Sequence, residues 1–379
     1  MRQPQPFHFT AARPLAVALI AGALAACGVA GSQTSPAWTA CKGATGGPEA
    51  LQRKVSACTG LIEGGLRPDD LAQALKSRAD GYRDLEEYDR AIADDTRAIG
   101  LQPDNSRAVS DRGLARYDQG RFDLALADFN GALKLDPDND AAINGRAYVE
   151  VHNGDNDLAI RDESRAIELN PEWAQPWLNR GVAYLDKGWF DLALADFADA
   201  LRLDRTNADL FEDIGLADAD KGDKADAVTA YLSASSIYLD RKAYKAAIEE
   251  ADKAIGVSPE DPEALNARCW ARAVADTGLD LAEADCLRSL AAKPNAGDAL
   301  DSLAFVRFRQ RRFDEALKGF GAALSQNPKQ AESLYMRGIV KLRLGDPDGG
   351  QADVAAAQTQ DPTIAGRYAN WGVTPDASQ

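Results

Sequence analysis

The 379 residues suffice for two or three ordinary domains or for one long array, and an apolar content of 45% is enough to bury a core rather than leave the chain disordered. A formal net charge of -16 argues against general nucleic-acid binding, because phosphates would be repelled; it favours basic or neutral partners, or serves only to solvate the surface. Two histidines, His8 and His152, are too few for a multi-histidine metal site and weaken any Ser-His-Asp reading, and there is no P-loop, no GxGxxG after a strand and no CxxC.

Residues 1–14 carry Arg2 and Arg13 and no acid, and Leu15 to Ala26 form an apolar run. That run has the length of a signal-peptide core and is too short to span a bilayer. It ends Leu24-Ala25-Ala26-Cys27, which resembles the bacterial lipobox. The resemblance implies cleavage before Cys27 and acylation of that residue. The alternative is ordinary signal-peptidase cleavage nearby, giving a soluble periplasmic or secreted protein. Gly28 stands where an Asp is linked to inner-membrane retention in many Gram-negative bacteria, so the outer membrane is favoured. Residues 1–26 thus read as a signal peptide and 27–37 as a tether.

With Cys27 lipidated, Cys41, Cys58, Cys269 and Cys286 remain, in two pairs each separated by 17 residues. In an oxidising compartment disulfides are expected. Residues 38–66 read as a degenerate hairpin closed by Cys41 and Cys58.

The array is clearest in Pro171–Leu203. Trp177, Arg180, Gly181 and Tyr184 mark a first helix, Gly188 and Phe190 a turn, and Ala193, Phe197 and Ala200 a second helix. That order resembles the tetratricopeptide repeat, a helix-turn-helix unit of about 34 residues. One unit cannot bury its own apolar face, so neighbours are expected. Pro103, Pro137 and Pro171 recur every 34 residues, as do Pro294, Pro328 and Pro362, with Pro259 preceding the latter by 35. Small residues recur in the second helices, from Ala91 and Ala98 to Ala316 and Ala323, with Phe129, Phe197, Tyr231 and Phe320 in a bulky slot between them. The resemblance covers residues 69–365 and implies an all-α, right-handed superhelical solenoid.

Six first helices carry Arg in one slot: Arg78, Arg112, Arg146, Arg180, Arg268 and Arg337. The second helices answer with Asp94, Asp128, Asp162, Asp196, Asp285 and Asp353. Two repeats have Ile214 with Ala230 and Leu303 with Gly319, lacking both. Co-occurrence within one chain implies contact, and slots equidistant from a hairpin turn face each other. A structural Arg–Asp bridge in each of the six is therefore expected; a row of ligand-binding arginines is the alternative. Cys269 and Cys286 lie in similarly opposed slots, those of the glycines and phenylalanines elsewhere. Metal binding by all four cysteines is disfavoured, since the pairs lie far apart in an array.

Pro171 to Pro259 is one helix short of whole repeats. Ala225–Leu239 fits both a second-helix and a first-helix frame, so one helix serves two repeats. This divides the array into residues 69–239 and 225–365, sharing that helix. A seam or a merely degenerate repeat are the two readings. Thr363 to Trp371 is expected to cap the last hydrophobic edge, with residues 366–379 as the C-terminal tail and its end frayed.

Arrays of this family hold peptides or proteins on the concave side, lined by first helices. The inward slots are Ser110, Leu114 and Tyr117; Asn144, Tyr148 and His152; and Gln175, Leu178, Val182 and Leu185. Asn144, Tyr148 and His152 share one helix face at i, i+4 and i+8. They form either a peptide-contacting stripe or ordinary packing. The Lys and Asn set by which some relatives grip a C-terminal carboxylate is not repeated here, and Lys76 alone does not suffice. No catalytic residue, metal ligand, cofactor or small-molecule substrate is expected. The expected partners are a protein or peptide, and a membrane through the N-terminal lipid. The leading reading is a non-enzymatic binding scaffold of the cell envelope; the alternative is a structural or assembly subunit of an envelope complex, using its outer surfaces.

Overall fold

A computed structural model describes residues 35–43 and 46–375. The signal peptide and Cys27 lie outside the described residues, as does the end of the tail at 376–379. All regular elements among the described residues are helices, and they form two compact units, residues 1–189 and 190–379.

The first unit holds α1 (Pro36–Lys42), α2 (Pro48–Glu63), α3 (Pro68–Asp84), α4 (Tyr88–Leu101), α5 (Ser106–Asp118), α6 (Phe122–Leu135), α7 (Asp140–Asn153), α8 (Asn156–Leu169) and α9 (Ala174–Asp186). The second holds α10 (Phe190–Leu203), α11 (Ala208–Lys221), α12 (Lys224–Asp240), α13 (Tyr244–Val257), α14 (Pro262–Val274), α15 (Leu279–Ala292), α16 (Gly297–Arg309), α17 (Phe313–Gln326), α18 (Ala331–Arg343), α19 (Pro347–Gln360) and α20 (Ile364–Ala369).

Local chemistry sets the helix ends. Asn105 and Asn139 cap α5 and α7 by accepting from the third backbone N–H, at 3.1 and 2.9 Å, and Asp261 caps α14 in the same way at 2.8 Å. The turns after the first helices pass through positive φ, at Gly120, Gly154, Gly188, Gly222 and Gly345, at Glu86, Lys242 and Arg311, and at both Asp276 and Gly278 after α14. At the turn after α5, Arg121 N–H bonds Arg116 C=O and Gly120 N–H bonds Tyr117 C=O, both at 2.8 Å, satisfying carbonyls that the helix leaves open. A non-glycine residue holds this conformation at a cost of about 1 kcal/mol, so the turn geometry is imposed by the packed hairpin.

Packing follows the small slots. Ala91, Ala125, Ala159, Ala227, Ala247, Ala282 and Ala316 are fully buried, which lets helix backbones approach closely. Phe129 is also fully buried, and its ring lies where side chains at Gly113 and Gly145 would be: a Cβ at those positions would sit 2.7 and 2.4 Å from it. Tyr231 stands against Gly215 in the same way, at 2.8 Å.

At the phase break, α12 packs against both α11 and α13.

Candidate functional site

The Arg and Asp slots meet across their hairpins. Arg78 donates to both oxygens of Asp94 at 2.6 and 2.9 Å, Arg112 to Asp128 at 3.0 and 2.7 Å, and Arg146 to Asp162 at 2.5 and 2.9 Å. In the second unit Arg268 forks onto Asp285 at 2.8 and 2.6 Å, and Arg337 onto Asp353 at 2.7 Å twice. These carboxylates are buried, and the bond to them raises the guanidinium pKa of Arg78, Arg146, Arg268 and Arg337. Arg180 belongs to the first unit and Asp196, itself buried, to the second.

A further contact at Arg78, Arg112, Arg146, Arg180 and Arg268 was not expected from the sequence, and Arg78 makes its own to Thr59 at 3.1 Å. Arg112, Arg146 and Arg180 reach back to Thr96, Asn130 and Ser164 on the second helix of the preceding repeat, at 3.3, 2.9 and 2.9 Å. Arg268 similarly reaches Asp252 at 2.6 Å. The signal was available, because these acceptors recur every 34 residues, two positions after the aspartate. These five arginines thus tie their own hairpins to the previous ones, which fits a packing role.

Cys41 and Cys58 form one disulfide and Cys269 and Cys286 the other, and all four are fully buried. The first joins α1 to α2 and the second joins α14 to α15.

Most of the expected groove residues are turned inward, which corrects the reading of that stripe. Ser110, Leu114, Asn144, Tyr148, Leu178 and Leu185 are buried. Ser110 donates to Arg107 C=O at 2.9 Å, and Asn144 donates to Glu163 at 3.1 and 3.2 Å. Tyr117, Gln175 and Val182 are half-buried, and only His152 is exposed. Its ring lies 3.9 Å from that of Phe122, while Tyr117 packs on Tyr148 at 5.7 Å.

The cause lies in the bulky slot. One repeat before Phe129 that slot holds Asp95, and one repeat after it holds Glu163. Neither carboxylate fills the volume of a ring, so polar neighbours close in. Gly145, which leaves room for Phe129, is replaced at the equivalent positions by Asp111 and Asn179. Asn179 donates to Glu163 at 2.6 Å, and Gln175 donates to Asn179 at 2.9 Å. Burial holds the carboxyl of Glu163 well above its ordinary range. Around Asp95, Lys76 pairs with Asp111 at 2.7 Å and Asp80 at 3.6 Å, and burial, with Asp111 and Asp80 nearby, raises Asp95 as well.

The second unit keeps an open site. The chain after α19 turns back over the first helices: Arg309 donates to Trp371 C=O at 2.7 Å, and the ring of Trp371 meets Trp270 edge-on at 5.5 Å. Ile364 and Tyr368 are fully buried against the core of the second unit. So this segment caps the last hairpin and also runs on towards α14. Between it and helices α12, α14 and α16 lies a cavity of about 680 Å³.

Beside this cap, Asp301 on α16 is buried and accepts a hydrogen bond from Ser333. Burial, only partly offset by that bond, pushes its carboxyl up from 3.8 to about 7. Asp301 therefore contributes stability as the protonated acid, fully present below the ordinary value and lost as pH rises through 7. Asp301→Asn, neutral at every pH, should raise thermal stability by about 3–4 kcal/mol at pH 8 and leave it nearly unchanged at pH 4, as read from paired melting curves. Equal shifts at both pH values would reject this assignment.

The geometry is that of stacked helical hairpins with a partly open first-helix face. The tetratricopeptide repeat family matches residues 76–140, 110–172, 144–208 and 303–363, and a second tetratricopeptide-repeat pattern matches 228–261. The chain belongs to the tetratricopeptide repeat family. Members of that family bind protein or peptide partners and are typically non-catalytic. Among solved structures, the chain is similar to the MamA protein at 21% identity, covering 46% of this chain and 96% of that one, with a TM-score of 0.40. It is similar to YrrB, described as a tetratricopeptide-repeat protein with an unusual peptide-binding site, at 22% identity, 55% and 97% coverage and a TM-score of 0.32. A tetratricopeptide-repeat protein of Parabacteroides merdae gives 15% identity, 72% and 99% coverage and a TM-score of 0.39. No curated protein matches the chain by sequence.

Proposed function

We propose that this protein is a non-enzymatic scaffold of the bacterial cell envelope that holds a protein or peptide partner on the open face of its first helices. The observation that carries this reading is the cavity of about 680 Å³ bordered by α12, α14 and α16, together with family membership. The envelope location rests on the signal-peptide-like leader and on two disulfides, which persist in oxidising compartments. Anchorage through a lipid on Cys27, with the outer membrane favoured, rests on the lipobox resemblance.

The second reading, an assembly subunit using its outer surfaces, is favoured by leucines exposed in one recurring slot of the second helices. Leu124 and Leu158 in the first unit are 45% and 38% exposed, and Leu192 and Leu281 in the second are 49% and 60% exposed.

One experiment separates the two. The intact chain is used to capture partners from envelope extract beside two variants, Asn266→Tyr, which fills the cavity, and Leu124→Asp/Leu158→Asp, which breaks the outer row. The scaffold reading expects a partner lost only with Asn266→Tyr. A partner lost only with the leucine variant would replace it by the assembly reading, and no retained partner would reject both. Mass spectrometry of the mature N-terminus should show acylated Cys27; an unmodified terminus beyond it would reject the anchor.

A further inference from the structure

We propose, resting on the scaffold reading, that the cavity of the second unit selects an extended peptide carrying a lysine or arginine beside an apolar side chain. Its volume of about 680 Å³ falls within the range of ~300–1,000 Å³ common for ligand sites. That leaves room for a few residues but not for a folded element.

The walls define the chemistry. Trp270 and Trp371 are half-buried and meet edge-on at 5.5 Å, presenting ring surface to the cavity. Leu232 and Val274 add apolar surface. Two of the three lining serines have committed hydroxyls: Ser235 donates to Ala247 C=O and Ser289 to Pro262 C=O, both at 2.7 Å. Asn266, half-buried at the cavity wall, keeps an amide nitrogen without an acceptor among the described residues. That amide is suited to a peptide carbonyl.

Charge decides the sign of the ligand. The lining carries four carboxylates, Asp240, Glu263, Asp298 and Glu332, against two cations, Lys293 and Arg367. Both cations are engaged. Lys293 pairs with Glu263 at 3.7 Å, and Arg367 pairs with Glu332 at 3.0 Å and with Asp361 at 2.6 Å. Asp298 accepts only a neutral bond, from Gln330 at 3.3 Å. Asp240 and Asp298 therefore stand without a cationic partner among the described residues. A cation entering here meets the negative field of Asp240 and Asp298, with the half-buried rings of Trp270 and Trp371 offering apolar surface beside it. A peptide carboxylate would meet the same field with the wrong sign. The net charge of -16 on the chain adds long-range steering in the same sense.

The test uses the intact chain and fluorescein-labelled heptapeptides, Gly-Ser-Leu-Lys-Leu-Ser-Gly and its Lys→Glu counterpart, with spermidine as a non-peptide cation. Fluorescence anisotropy in 50 mM salt should give at least tenfold tighter binding of the lysine peptide. That preference should shrink below threefold in Asp240→Asn/Asp298→Asn, whose melting curve should not change because both side chains are surface-accessible. Asn266→Tyr should abolish binding. Spermidine should compete only weakly, lacking the apolar flank and the peptide carbonyls. Equal binding of the two peptides, an undiminished preference in the double variant, competition by spermidine at the affinity of the peptide, or no peptide binding each overturn the proposal. If the peptides fail while capture from envelope extract still yields a partner lost with Asn266→Tyr, only this inference falls; if that capture fails too, the scaffold reading falls with it.

Discussion

Asp285→Ala should destabilise the second unit by about 3–5 kcal/mol, measured by urea unfolding. Asp285 is 4% exposed and accepts two bonds from Arg268 and one from Arg272, at 2.8, 2.6 and 2.6 Å. Removing it strands two guanidinium groups whose side chains are only 16% exposed. Arg268 retains Asp252, but nothing among the described residues replaces Asp285 for Arg272. A buried pair costs more to break than it contributes, because the surviving charge stays desolvated. Replacing the whole set, Arg268→Met/Arg272→Leu/Asp285→Leu, should therefore restore most of the loss. The control is the exposed pair of Arg165 and Asp138, 2.7 Å apart, where Asp138→Ala should cost about 1 kcal/mol or less. Similar losses at Asp138 and Asp285 would show that burial does not govern these bridges.

Phe129→Ala should cost the first unit about 3–5 kcal/mol, because its ring is fully buried and truncation leaves a cavity. The opposite error is available in the same place. Gly145→Ala puts a Cβ 2.4 Å from the ring and Gly113→Ala one at 2.7 Å, so each should cost about 1–3 kcal/mol by overpacking. Because the glycines and the ring share one volume, the effects must couple. Gly145→Ala combined with Phe129→Leu should lose clearly less than the sum of the single changes. Additive losses would mean that the helices simply shift apart.

That shared volume also explains why part of the first-helix face was illegible. Periodicity alone assigns Asn144 and Tyr148 to a concave stripe, since they lie one helical turn apart on a first helix. Their actual direction depends on Glu163, which stands where Phe129 stands one repeat earlier. A carboxylate in that slot needs donors, and Asn144 and Asn179 supply them, so the amide is spent inside the fold. The contacting helices were readable; the identity of the group filling the space between them decides which side chains remain free. The cavity of the second unit was missed for a related reason. It is walled by Trp371, whose carbonyl is held by Arg309 across 62 residues of sequence, and by helices from successive repeats.

What the sequence by itself determined is the unit of the fold. Proline, alanine and glycine recur every 34 residues because each repeat meets the same steric demands, and that is enough to read the helical hairpin and its repetition. Arg and Asp occur together or not at all because a buried charge without its partner is costly, so the chain records its own contacts. Only the tertiary structure decided which polar residues point inward and how the C-terminal segment returns over α14 and α16. Those outcomes follow from single substitutions in shared volumes and from contacts far apart in the chain, and neither leaves a period to read.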